Sequence, residues 1–177
     1  MPMFQLVEKE ARMSAAGRIL LAVDGSENSH RVVQYVGSLL SRTPDAVITL
    51  FHVLKPMPRR LLEHGGSENP AVEGQLSVQL RNEQEAWIQK ERESESHVLK
   101  QACETLTQSG FDMSRVTVKY GHDDNIARNI LEEARNGHHD TIAVGRQGIS
   151  RIKQLFGGGT TDHLLHAAKG FAIWVVA

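Results

Sequence analysis

Apolar positions along the chain gather into five short runs, separated by stretches whose apolar residues recur at helical spacing. Arg18-Ile19-Leu20-Leu21-Ala22-Val23-Asp24 is the first run. It is nearly continuous rather than alternating and closes on a carboxylate, the pattern of a strand buried on both faces of a parallel sheet. Gly25-Ser26 turns the chain, Ser26 is placed to cap a helix, and Val32, Val33, Val36, Leu39 and Leu40 mark that helix until Pro44 stops it. The second run, Ala46 to Val53, ends at Lys55-Pro56-Met57-Pro58, because proline removes a ladder donor. A right-handed crossover makes these two strands parallel and brings Asp24 and Val53 to the same sheet edge.

Beyond Pro56 the periodicity breaks. Arg59-Arg60, Gly65-Gly66, Pro70 and Gly74 predict an insertion over residues 56–80 that leaves the sheet and can serve as a lid. A single long helix is predicted over 81–109, with Val98, Leu99, Ala102, Cys103 and Leu106 as its apolar stripe. Its half from Gln89 to Ser96 is entirely polar and reads as a solvated face projecting past the domain, with Trp87-Ile88 as a docking candidate. Val116 to Tyr120 is a third strand, shorter and more alternating, as suits an edge, and Gly121 is expected to end it. Asp123-Asp124-Asn125 cap a helix carrying Ile126, Ala127, Ile130, Leu131 and Ala134, with Gly137 as its stop. Capping explains the paired aspartates better than a metal site, for which no third ligand is evident.

Asp140 to Val144 is the fourth strand, Leu164, Leu165 and Ala168 carry a further helix, and Phe171 to Val176 is the fifth strand. Strand and helix alternate throughout, which predicts an α/β fold: an open five-stranded parallel sheet with helices on both faces, Rossmann-like. In such a sheet of order 3-2-1-4-5 a ligand lies outside the carboxyl ends of the strands, at the switch point between the first and fourth.

That edge receives the chain's most unusual segment, Gly145 to Thr161, with five glycines and two adjacent threonines between a strand and a helix. Glycines let backbone N–H groups approach an anion without interference from Cβ, and a helix N-terminus adds donors and positive potential. Glycines also terminate strands and cap helices without binding anything. With Asp24 across the crevice to accept from a ribose or to help hold a phosphate-bound Mg²⁺, the combination describes a nucleotide site.

The chain of 177 residues is long enough for one domain. We divide it into an N-terminal extension at 1–16 and a single domain at 17–177. The extension reads as neither a signal peptide nor an anchor, and as a frayed terminus or a short partner-binding arm. Lys and Arg (20) nearly balance Asp and Glu (21), without a basic cluster, which argues against a nucleic-acid partner. No apolar run reaches membrane-spanning length, and the one cysteine, Cys103, reads as a buried thiol that suits a cytoplasmic location.

These residues resemble the universal stress proteins, over nearly the whole chain. The resemblance rests on Ala22-Val23-Asp24-Gly25-Ser26, on His52-Val53, on the helix beginning near Asn125, on Asp140 to Val144, and above all on the glycine loop. The family's ATP-binding branch carries Gly, two residues, Gly, nine residues, Gly, then Ser or Thr; Gly145, Gly148 and Gly158 fit, and Gly159 replaces the hydroxyl residue. A shift by one position aligns Gly159-Thr160 with the final pair, and Thr161 is a further hydroxyl. The resemblance implies an adenine nucleotide alpha hydrolase-like fold, with Asp24 near ribose and phosphates, Val53 and Val144 against adenine, and Gly145, Gly148, Gly158, Gly159 and Thr160 around the phosphates. Each has a plain alternative, since Val53 and Val144 would be core in any such sheet and Asp24 can cap the adjoining helix.

It further implies ATP, with ADP or AMP as alternatives and Mg²⁺ as an accompaniment, and a homodimer through Phe171 to Val176. The leading functional expectation is a cytoplasmic ATP-binding regulatory module; the alternative is a non-nucleotide-binding dimeric interaction protein of the same family. Against an enzyme, the first loop reads Asp24-Gly25-Ser26-Glu27-Asn28-Ser29 rather than a pyrophosphatase loop, and no Walker lysine is present. His163 and His166 have no identifiable partner carboxylate, so slow hydrolysis or self-phosphorylation is the most that is expected.

Overall fold

The computed structural model describes residues 17–62, 69–122, 125–145 and 168–176. Strands β1 (Arg18–Ala22), β2 (Val47–Leu54), β3 (Val116–His122), β4 (Thr141–Gly145) and β5 (Ala172–Val176) form one sheet in the order β3-β2-β1-β4-β5. Every neighbouring pair is parallel, with Leu21 opposite both Leu50 and Ala143, and Val144 opposite Val175. The expected architecture and strand order are therefore present, with the switch point between β1 and β4.

Side chains from the two sheet faces make separate cores. Ile19, Leu21, Ile48 and Leu50 meet helix α1 (Glu27–Leu40) and the C-terminal half of helix α2 (Pro70–Gln108), through Val32, Val36, Leu99 and Leu106. Leu20, Ala22, Phe51, Val53, Ile142 and Val144 meet helix α3 (Ile126–Asn136) through Ala127, Ile130, Leu131 and Ala134. Burial on both faces explains why β1 and β4 are uninterrupted apolar runs. At the edge, Thr117, Val118 and Lys119 of β3 are exposed.

Two elements and one side chain differ from the sequence expectation. Helix α2 begins at Pro70 rather than 81, because Asn69 caps it by accepting from the Ala71 N–H at 3.1 Å and Pro70 occupies the first turn, where its missing N–H costs nothing. Gly74 lies inside this helix with open space around it, which costs only about 1 kcal/mol relative to alanine. Residues 70–80, expected to belong to the insertion, are thus the start of α2. Strand β3 continues through Gly121 to His122 and, at seven residues, is longer than β1, β4 or β5. A Cβ at Gly121 would collide with Asn129 and the Phe51 ring, so this glycine marks a close approach of α3 and not a strand end. Cys103 is half-buried rather than enclosed, and burial raises its thiol pKa.

The turn after β1 is built from local hydrogen bonds. Gly25 adopts φ +77°, which favours glycine, and Ser26 caps α1 by accepting from the Ser29 N–H at 3.1 Å. Asn125 caps α3 in the same way through the Arg128 N–H at 3.0 Å. The extension 1–16, Asp123, Asp124 and the segment 146–167, with Gly148, Gly158, Gly159, Thr160, Thr161, His163, Leu164, Leu165 and His166, lie outside the described residues.

Candidate nucleotide site

The carboxyl ends of β1 and β2, the middle of α2 and the first turns of α3 enclose a cavity of about 310 Å³. Phe51 and Val53 from β2 and Ile126 and Ile130 from α3 supply apolar walls, while Asp24, His52, Lys55 and Glu95 supply the polar groups. The cavity lies where β1 and β2 end side by side, between α2 and α3, which cover opposite faces of the sheet.

Asp24 follows β1 directly. Its Oδ1 accepts from the Ser26 N–H at 3.0 Å and its own N–H donates to Ser29 Oγ at 3.2 Å, so the residue braces the turn while Ser26 performs the capping. The other oxygen, Oδ2, is buried without a hydrogen-bond partner among the described residues. Burying a polar atom unpaired carries a desolvation cost of about 1–3 kcal/mol, a burden that a ligand donor relieves.

His52 is more deeply enclosed, with its side chain 6% exposed. Its Nδ1 lies 2.8 Å from the Val23 carbonyl oxygen. A carbonyl only accepts, so Nδ1 carries the hydrogen and, in the neutral ring, Nε2 carries the lone pair. Nε2 is buried without a hydrogen-bond partner among the described residues and stands 3.6 Å from Glu95 Oε2. Tyr120, opposite His52 on β3, meets the imidazole edge-on at 6.3 Å, and its own ring lies under the Arg92 guanidinium at 5.5 Å.

Lys55 Nζ bridges two glutamates of α2, at 2.9 Å from Glu95 Oε1 and 3.3 Å from Glu91 Oε1. Hydrogen bonds to Glu95 and then Glu91 raise its pKa above the ordinary lysine value. These glutamates overturn the expectation that the charged half of α2 is merely a solvated face. Glu91 and Glu95 side chains are only 13% and 18% exposed. Positions 91, 95, 98, 102 and 106 share one helix face, so the apolar stripe continues backward as an acidic one over the cavity. That spacing is legible in the sequence once Glu91 and Glu95 are counted with the apolar stripe, whereas His52 and Lys55, at the end of β2, carry no local signal of a shared site.

Of the residues expected at the site, Asp24 and Val53 border the cavity. Val144 is fully buried in the α3-side core, and Gly145 ends β4, the strand beside β1. A Cβ on Gly145 would come within 2.9 Å of the Asn28 carbonyl, so close packing against α1 already accounts for this glycine. The remaining phosphate-loop positions fall outside the described residues. Among the described residues no group of three or more His, Cys, Asp or Glu is placed to hold a metal ion, and no helix is long and apolar enough to cross a membrane.

The model of the universal stress protein family matches residues 16–170. Among solved structures, a universal stress protein in complex with cAMP shares 15% identity at TM-score 0.57, covering 92% of this chain and 98% of that one. Universal stress protein UspA from Lactobacillus plantarum shares 18% identity at TM-score 0.57, covering 93% and 100%. The universal stress protein from Archaeoglobus fulgidus in complex with dAMP shares 13% identity at TM-score 0.53, covering 91% and 98%. At these identities the likeness is one of fold. No curated protein matches the chain in sequence.

Proposed function

The chain belongs to the universal stress protein family, and from that premise we propose that it is an adenine-nucleotide-binding regulatory module. The observation that carries this reading is the buried Asp24 Oδ2, without a hydrogen-bond partner among the described residues, beside a cavity with apolar walls from Phe51, Val53, Ile126 and Ile130. A sugar hydroxyl donating to that oxygen removes its desolvation burden, and the walls accept a flat ring. The volume of about 310 Å³ is at the small end of ligand pockets and suits a base with its sugar, leaving the phosphates to lie beyond β4. The cAMP- and dAMP-bound relatives support the same ligand class.

In this reading Asp24 accepts from the ribose, Val53 and Val144 pack near adenine, and the backbone N–H groups of Gly145, Gly148, Gly158, Gly159 and Thr160, with the hydroxyls of Thr160 or Thr161, surround the phosphates. ATP is the proposed ligand, with ADP or AMP as alternatives, and Mg²⁺ neutralises its phosphate charge when bound. The protein acts as a binder, not a catalyst: nucleotide occupancy alters the geometry of the loop after β4 and thereby the contacts of β5, through which we propose a homodimer. A cytoplasmic location accompanies this proposal. A second reading, a dimeric interaction protein without nucleotide, is favoured by Gly159 in place of a hydroxyl residue and by the packing explanation for Gly145.

Denaturing freshly purified protein and analysing released small molecules, followed by calorimetric titration with ATP and Mg²⁺, tests the choice. Adenine nucleotide is expected to bind, and Asp24→Ala is expected to weaken it by about tenfold or more, the scale of one hydrogen bond to a charged group. No release and no heat at millimolar ATP would leave the dimeric scaffold.

A further inference from the structure

We infer that His52 is a proton-operated clasp between the end of β2 and the middle of α2, closed when its ring is protonated and released when it is neutral. Such a clasp acts on the cavity wall whatever ligand the cavity takes. Nδ1–H of His52 is committed to the Val23 carbonyl, so only Nε2 can change its state, and Nε2 is buried without a hydrogen-bond partner among the described residues. It stands 3.6 Å from Glu95 Oε2. In the neutral ring a lone pair faces that carboxylate, acceptor against acceptor. In the protonated ring the same atom carries a hydrogen, and the contact becomes an ion pair that joins β2 to α2.

The charged groups around the ring favour the closed form. From α2 come the Glu91 and Glu95 carboxylates, and just beyond β2 the Lys55 ammonium lies 2.9 Å from Glu95 Oε1 and 3.3 Å from Glu91 Oε1. Lysine thus engages one oxygen of Glu95 while Nε2 faces the other. Asp24, after β1, adds a third carboxylate to the cavity wall, and α3 contributes only Ile126 and Ile130 to it. On β3, Tyr120 meets the imidazole edge-on and carries the Arg92 guanidinium over its face at 5.5 Å, a cation that opposes further positive charge. Among the described residues, three carboxylates against two cations leave room for one more positive charge, and a proton at Nε2 supplies it. The imidazole and both glutamates are largely enclosed, so the pair is screened far less than one on an open surface. An imidazole in the unfolded chain gains its proton near pH 6.5. A proton held by the folded pair therefore stabilises the clasp fully below that value and ceases to do so as pH rises beyond neutrality. Because His52, Lys55 and Glu95 all line the cavity, releasing the clasp loosens the wall that α2 provides.

Urea melts of full-length wild type, His52→Phe, Glu95→Gln and the double variant, at pH 5.5 and pH 8, measure the coupling between the two positions. At pH 5.5 the coupling is expected to favour the folded state by about threefold or more in the folding equilibrium, and at pH 8 to vanish or change sign. Groups that titrate elsewhere contribute alike to all four proteins and cancel. Equal coupling at both pH values, or none at either, would overturn the inference. Hydrogen exchange over residues 84–97 of α2, corrected for the intrinsic pH dependence of exchange, reads the same event locally. Wild type is expected to be about threefold or more better protected at pH 5.5 than at pH 8, with that difference lost in Glu95→Gln. Should His52→Phe fail to fold, exchange in Glu95→Gln decides the matter: pH-dependent protection that survives this substitution would overturn the clasp.

Discussion

Single buried polar atoms carry most of the chemistry of this molecule, and they do not all point to ligands. His139, between α3 and β4, shares a hydrogen with Thr49 Oγ1 across 2.9 Å, while its Nδ1 is buried without a hydrogen-bond partner among the described residues. It is not among the residues that line the cavity. Burial depresses its pKa below the ordinary histidine value, partly offset by the proximity of the Ala134 backbone and of Glu133, although neither makes a hydrogen bond to Nδ1 of acceptable geometry. The unfolded chain therefore binds the proton more readily than the native one. The stability associated with neutral His139 is full above the unfolded pKa of about 6.5 and is lost as pH falls below it through the lower folded value. In urea melts at pH 7.5 and pH 5, wild type should lose stability relative to His139→Phe on acidification; a constant difference between the two would remove His139 from the pH response.

At the scale of elements, α2 differs most from its description as a simple amphipathic helix. Its last turns bury Val98, Leu99, Ala102 and Leu106, its middle lays Glu91 and Glu95 over the cavity, and most positions from 71 to 83 are exposed. The Lys55 pairs tie its middle to the end of β2, although the lysine is half exposed and each pair contributes modestly, about 0–1 kcal/mol. Propensity matters more in the solvated first turns. Gly74→Ala meets no atom within 4 Å and should raise stability by about 0.5–1 kcal/mol, read from the midpoint of chemical denaturation. An unchanged or lowered midpoint would mean that these turns open before the domain unfolds, or that the glycine is needed for a contact elsewhere. Pro70 and Gly74 suggest breaks in the sequence, yet Asn69-Pro70 is a helix-starting pair, and so the helix extends further back than its apolar stripe predicts.

For the whole molecule, the sheet has two edges, and they are unlike. Among the described residues, β3 presents Lys119, which is paired with Glu133 at 2.7 Å, beside Val118, whereas β5 is apolar throughout; Val118 and Val175 are each 45% exposed, so the charge and not the apolar exposure distinguishes the two edges. Charge on an edge opposes strand pairing, so β5 is the edge through which the proposed homodimer would form. Val175→Lys is expected to convert a dimer to a monomer in sedimentation velocity without lowering the helix and strand content seen by circular dichroism. A monomeric wild type, or a dimer indifferent to the lysine, would exclude β5 as the contact.

Local chemistry in the sequence by itself determined the five strands, the alternation with helices and the caps at Ser26 and Asn125, because buried strands and capped helices impose patterns on consecutive residues. The same patterns placed Asp24 and Val53 at one sheet edge. Only the tertiary structure decided that His52, Lys55 and Glu95 would share a cavity with them, that Gly121 and Gly145 answer to neighbouring backbone and side chains, and that an acidic helix face would be turned inward. Those outcomes depend on distances between segments far apart in the chain, where the period of any one element specifies a face but not what that face will meet.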